Sequence, residues 1–115
     1  MRRLLRFLTL GIAASEAVIT GIRRPLGYQQ ITSLLSSIGF TLPTAIPGNQ
    51  IGYAVCQAEG GDIRWRDDGT APTGTVGMII PSGGELNYCG DFSAIRFIGS
   101  TGSSPTALNV SYYGN

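Results

Sequence analysis

Four carboxylates fall within ten positions, Glu59, Asp62, Asp67 and Asp68, and they form the chain's one acidic cluster. Together with turn carbonyls, such a group has the oxygen chemistry of a Ca²⁺ site, a cation that takes roughly 6–8 oxygen ligands. The order D-x-[DN]-x-[DN]-G is missing, however, and Arg64 and Arg66 interleave with the acids. Turn-forming aspartates paired with neighbouring arginines on the exposed side of a strand explain the cluster better. Paired carboxylates for glycoside hydrolysis need one raised pKa inside a cleft, and nothing in the pattern places one. The two thiols, Cys56 and Cys89, lie in separate predicted strands and are too few for a four-ligand structural zinc site. A disulfide requires those strands to face each other with Cα atoms within about 7 Å. Buried free thiols are equally ordinary, and the reduced state is expected.

Composition removes much of the remaining chemistry. The chain has no histidine, and all eight of its cations are arginines. The lack of imidazole excludes the usual Ser-His-Asp and Cys-His nucleophile systems and a histidine metal site. The lack of lysine excludes a Walker A loop, a Schiff base and a Ser-Lys dyad. No enzyme and no cofactor are expected. A net charge of +1 gives no electrostatic support for nucleic-acid binding.

Charged residues make up 13% of the 115 positions, against a usual share of about 25%. Hydrophobic residues reach 43%, and glycine is 17 of 115. Disordered chains combine few apolar residues with high charge, the opposite of this balance. Short apolar runs between Gly-rich turns instead suggest a compact all-β unit. From residue 50 onward the apolar period is two. Runs at 51–58, 63–66, 76–80, 85–89, 94–98 and 107–113 are separated by Glu59–Asp62, Asp67–Thr70, Pro81–Gly84, Gly90-Asp91 and Gly99–Thr106. Six short strands with turn chemistry between them predict a small antiparallel β-sandwich or barrel over 48–115. In the first run the large residues Ile51, Tyr53 and Val55 share one face. Alternation places Trp65 opposite Arg64 and Arg66, hence in the core, and splits Tyr112 and Tyr113 between core and surface. Asn109-Val110-Ser111 matches a glycosylation sequon but falls inside a strand.

Residues 1–47 read differently, as a mainly helical or extended arm with a linker. Arg2, Arg3 and Arg6 lead or punctuate an apolar stretch from Leu4 to Ile22, which Arg23-Arg24-Pro25 ends. A second pattern, Ile31, Leu34, Leu35 and Ile38, has the 3, 4 and 7 spacing of a helix face, with Gly39 placed to stop it. Pro43, Pro47 and Gly48-Asn49 mark the linker. The leading stretch admits several readings. Its basic start and apolar middle have the shape of a secretory signal. As a membrane span it is interrupted by Ser15-Glu16, where about 20 uninterrupted apolar residues are needed. The preferred reading is a retained arm laid against other protein subunits, ahead of a helix packed within its own chain.

One further pattern bears on function. The run from Ala58 through Gly60-Gly61-Asp62-Ile63-Arg64-Trp65-Arg66-Asp67-Asp68-Gly69 to Thr73 resembles a segment common in small tailed-bacteriophage proteins. Val76-Gly77-Met78 leading to Gly84-Glu85-Leu86, then Ala94–Ile98 and Ala107–Tyr113, are similar to the same series. The resemblance covers residues 50–113 and includes no catalytic signature. It implies a β-sandwich virion protein, either a capsid decoration (cement) protein or a head–tail accessory component. Its partners would be major capsid or head–tail subunits and copies of itself, with no nucleic acid, membrane or small-molecule substrate. Its location would be the virion, after assembly in the host cytoplasm.

The expected partner-binding residues lie in the arm. Leu4, Leu5, Phe7, Leu8, Leu10, Ile12, Val18, Ile19 and Ile22 supply apolar area, and Arg2, Arg3, Arg6, Arg23 and Arg24 supply charge-assisted rim contacts. Two alternatives stand beside this expectation. One is a virion-surface receptor- or glycan-binding module using Trp65, Tyr53 or the Tyr112-Tyr113 edge. The other is a secreted or membrane-anchored small β protein.

Overall fold

A computed structural model describes residues 23–43, 51–105 and 107–114. Eight strands form in chain order: β1 (Arg24–Ile31), β2 (Ile38–Gly39), β3 (Ile51–Glu59), β4 (Ile63–Arg66), β5 (Met78–Ile80), β6 (Glu85–Tyr88), β7 (Arg96–Gly99) and β8 (Ala107–Gly114). They make two antiparallel four-stranded sheets, ordered β1-β8-β3-β6 and β2-β7-β4-β5. The fold is all-β, as expected, and all six strands anticipated after residue 50 are present within a few residues of their expected bounds. Short turns carry the chain from one sheet to the other, from β3 to β4 and from β5 to β6. These links set β5 and β6 along one side of the sandwich and β1 and β2 along the opposite side.

The helix expected from Ile31, Leu34, Leu35 and Ile38 is absent. Ile31 ends β1, Ile38 begins β2 and Gly39 lies within that strand. Leu34 is buried while Leu35 is fully exposed, a split that one helical face does not allow. Long-range pairing overrides the local period: β1 runs antiparallel along β8 from Arg24↔Gly114 to Ile31↔Leu108. Pro25, which has no N–H to give a ladder, sits on this edge strand beside a bulge between Pro25 and Gly27. Residues 24–31 and 38–39, which the sequence reading places in the arm, contribute β1 to one sheet and β2 to the other.

A bulge also decides which face of β3 looks inward. The register against β8 shifts between Ile51 and Tyr53, so Ile51 is buried, whereas Tyr53 and Val55 turn outward. The inward positions are the small residues Ala54, Cys56 and Ala58. They leave room for Tyr112, Phe97, Ile63, Ile80, Ile95, Leu108 and Val110, all fully buried. Aromatic rings cross the core in sequence. Trp65 meets Tyr88 edge-on at 6.1 Å, Tyr88 meets Phe92 at 5.3 Å, Phe92 meets Phe40 at 6.1 Å, and Phe40 contacts Phe97 and Tyr112 at 5.2 and 5.4 Å. The tilted and edge-on geometries are those that ring quadrupoles favour. The buried Tyr112 hydroxyl donates to Gln29 Oε1 at 2.7 Å, and the same oxygen accepts the Thr41 backbone N–H. One amide thus satisfies groups from β8 and from the segment after β2. Tyr112 is buried and Tyr113 half-exposed, the split that alternation predicted.

Both thiols are free, Cys56 buried and Cys89 exposed just beyond β6. Burial pushes the Cys56 thiol from 9.0 up to about 12. A charged thiolate is disfavoured in that apolar setting, so Cys56 should resist a thiol reagent that modifies Cys89 at neutral pH. Rapid modification of both in the folded protein would contradict this packing. The sign of the pH effect follows. Above about pH 9 the unfolded thiol loses its proton while the folded one keeps it, so stability should fall as pH rises from about 9 towards 12. Tyr88 and Tyr112 are shifted upward as well, chiefly by burial, and act in the same direction. Thermal melts across that interval would check the trend.

Candidate assembly surfaces

Three of the five exposed large hydrophobics among the described residues, Val76, Met78 and Ile79, lie at β5. Among the described residues β5 pairs only with β4, through Ile63↔Ile80, Arg64↔Ile79 and Trp65↔Met78. Val76, Met78 and Ile79 are 50, 60 and 48% exposed. Next to them a cleft opens over the half-buried Trp65, walled by Val76 and Met78 and rimmed by Arg66, Asp67 and Asp68. Trp65 packs against the core as alternation predicted, yet its ring also floors this cleft. At the rim, Arg66 grips Asp68 with two parallel hydrogen bonds, Nε to Oδ1 at 3.0 Å and Nη2 to Oδ2 at 2.5 Å. The Arg66 guanidinium holds the Asp68 carboxyl below its ordinary range. Asp67 accepts the Tyr88 hydroxyl at 2.8 Å.

These contacts revise the acidic cluster. Arg66 does pair with a neighbouring acid, but Arg64 does not. Its Nε donates to Gly74 O at 3.1 Å and Ser100 Oγ at 3.2 Å, and its Nη1 donates to Gly77 O at 2.9 Å. The guanidinium is a clamp that holds the loop before β5, and with it Val76, against the sheet. Among the described residues, no three Cys, Asp or Glu side chains converge as metal ligands. Asp62 accepts the Ser82 backbone N–H, and Glu59 accepts from Asn109.

Gly77 shapes the cleft from below. Its φ is +145°, and a Cβ there would lie 3.1 Å from Trp65 O and 3.2 Å from Pro72 Cβ. Both the conformation and the space select glycine. Gly77→Ala should cost about 1–3 kcal/mol, measured by chemical denaturation. An unchanged midpoint would show that the loop has another arrangement.

A second surface is the outer face of the first sheet. Tyr53 and Tyr113 lie side by side with ring centroids 6.0 Å apart, and the Arg23 guanidinium stacks 4.6 Å from the Tyr53 centroid. Tyr28, 64% exposed, donates its hydroxyl to Asn109 Oδ1, which Gln30 also reaches. Tyr53 donates to Asn87. Asn109, the sequon asparagine, is thus held by three side-chain partners within a strand. Of the aromatic residues considered for glycan binding, Tyr112 is buried, Trp65 half-buried, and Tyr53 has one face covered by Arg23.

The expected partner-binding residues Arg2, Arg3, Leu4, Leu5, Arg6, Phe7, Leu8, Leu10, Ile12, Val18, Ile19 and Ile22 lie outside the described residues. Arg23 stacks on Tyr53, and Arg24 opens β1 opposite Gly114. Sequence reasoning missed the β5 cleft and the Arg64 clamp. The signal that could have located the cleft was Val76-Gly77-Met78 beside the strand carrying Trp65. No helix among the described residues is long and apolar enough to cross a membrane. No protein-family model matches the chain, and neither a curated protein nor a solved structure matches it.

Proposed function

We propose that this chain is a structural component of a tailed-bacteriophage particle, a decoration or head–tail accessory protein that joins neighbouring virion subunits and copies of itself. The observation that carries the reading is the apolar β5 edge, where Val76 and Met78 stand about half exposed at the Trp65 cleft and Ile79 is exposed on the opposite face of the strand. An edge strand of this kind is an association site unless something covers it. The low charge of the chain suits a surface meant to be covered, and the apolar leading segment offers a second sticky element. The resemblance of residues 50–113 to small phage proteins supplies the particle. The chain should therefore co-purify with intact particles at a fixed copy number through density-gradient banding. Recovery only in the unassembled soluble fraction would overturn the proposal.

A second reading, a glycan-binding surface module, draws support from the exposed Tyr28 and its amide neighbours on the outer face of the first sheet. Saturable binding on a glycan array that Tyr28→Ala abolishes would favour it over the structural role.

A further inference from the structure

We propose that the Trp65 cleft receives the apolar leading segment, residues 4–22, of a second copy of this chain. The inference rests on the assembly reading above and gives that reading a docking site. Three observations select this occupant. The first is chemical. A cleft walled by Val76 and Met78 over an indole ring takes an apolar segment, and residues 4–22 are the most apolar stretch of the sequence.

The second is charge. Residues 1–22 carry Arg2, Arg3 and Arg6 against Glu16, 3 − 1 = +2, while residues 23–115 carry five arginines against six acids, 5 − 6 = −1. The rim itself has one arginine and two aspartates, again −1. An arginine-led apolar segment complements both the floor and the rim of the cleft.

The third is position. The segment leads into Arg23 and β1 at one side of the sandwich, whereas the cleft belongs to β4 and β5 at the other. Donor and acceptor on opposite sides generate a head-to-tail contact between copies. Among the described residues the outer edge of β5 is unpaired, and it can accept the segment as an added strand, a mode in which backbone bonds supply affinity and side-chain pockets supply specificity.

The test uses the full-length chain. Its two methionines are Met1 and Met78, so photo-methionine puts a nearly isosteric cross-linker in the cleft wall. Equal amounts of ¹⁴N and ¹⁵N chain are mixed, irradiated and digested with trypsin. Cross-links should join the peptide Asp67–Arg96 to Phe7–Arg23, with about half of them isotopically mixed. Isotopically pure cross-links would assign the cleft to the molecule's own segment, and cross-links elsewhere or none would remove the cleft from assembly. Either result overturns the proposal. Met78→Glu and, separately, Leu8→Glu should each weaken self-association at least tenfold. Met78 is 60% exposed, so its replacement leaves the core intact, a point far-UV circular dichroism checks. If Leu8→Glu disrupts association and Met78→Glu does not, the cleft fails while the assembly reading survives. If neither does, both fail.

Discussion

Phe97→Ala should destabilise the sandwich by about 3–5 kcal/mol, the range for emptying a buried aromatic site. Phe97 is fully buried in β7 and packs on Phe40 at 5.2 Å. It pairs with Ile38 on one side and Trp65 on the other, so β2 and β4 flank it while Phe40 packs on its ring. A domain of this size has about 5–15 kcal/mol in total, and the loss should move the denaturant midpoint far down without much change in slope. Leu35→Ala is the matched control. Its side chain is fully exposed, and surface changes usually stay within about 0.5 kcal/mol. Equal effects from the two substitutions would contradict the placement of Phe97 inside and Leu35 outside.

Removing residues 2–22 should turn an associating chain into a monomer, weakening self-association by more than tenfold while the sandwich still unfolds cooperatively. The place of the cut matters. Arg24 pairs with Gly114 and the Arg23 guanidinium lies on Tyr53, so a cut that takes these residues would damage β1 and confuse loss of partner contacts with loss of fold. The described pairings of β1 run from Arg24 to Ile31, so the cut leaves each of them in place. Sedimentation velocity of the two forms at matched concentration gives the comparison. A truncated chain that still associates like the full one would locate the adhesive surface wholly within the sandwich.

How far the sequence revealed this molecule depended on the range of the interactions involved. The strands after residue 50 were legible because alternation and turn residues act within a few positions, as at Ile63–Arg66 and Pro81–Gly84. Tyr112 and Tyr113 fell to opposite faces for the same reason. The segment 31–38 reads as a helix because Ile31, Leu34, Leu35 and Ile38 share a helical spacing, whereas β1 forms through pairing with β8, some eighty positions away. The inward face of β3 was hidden by a bulge that puts Ala54, Cys56 and Ala58 inside rather than Tyr53 and Val55. Arg64 offered no hint that its partners would be the carbonyls of Gly74 and Gly77 rather than nearby acids. The Trp65 cleft arises from the β4–β5 register and the Gly77 turn, neither of which composition or period encodes.

On the proposed function, the leading segment binds the chain to neighbouring molecules in a particle. Quantitative mass spectrometry of purified particles, comparing the full chain with the form lacking residues 2–22, tests it most directly. Copies per particle should fall at least tenfold for the shortened form while its soluble sandwich remains folded. Equal copy numbers for the two forms would contradict it.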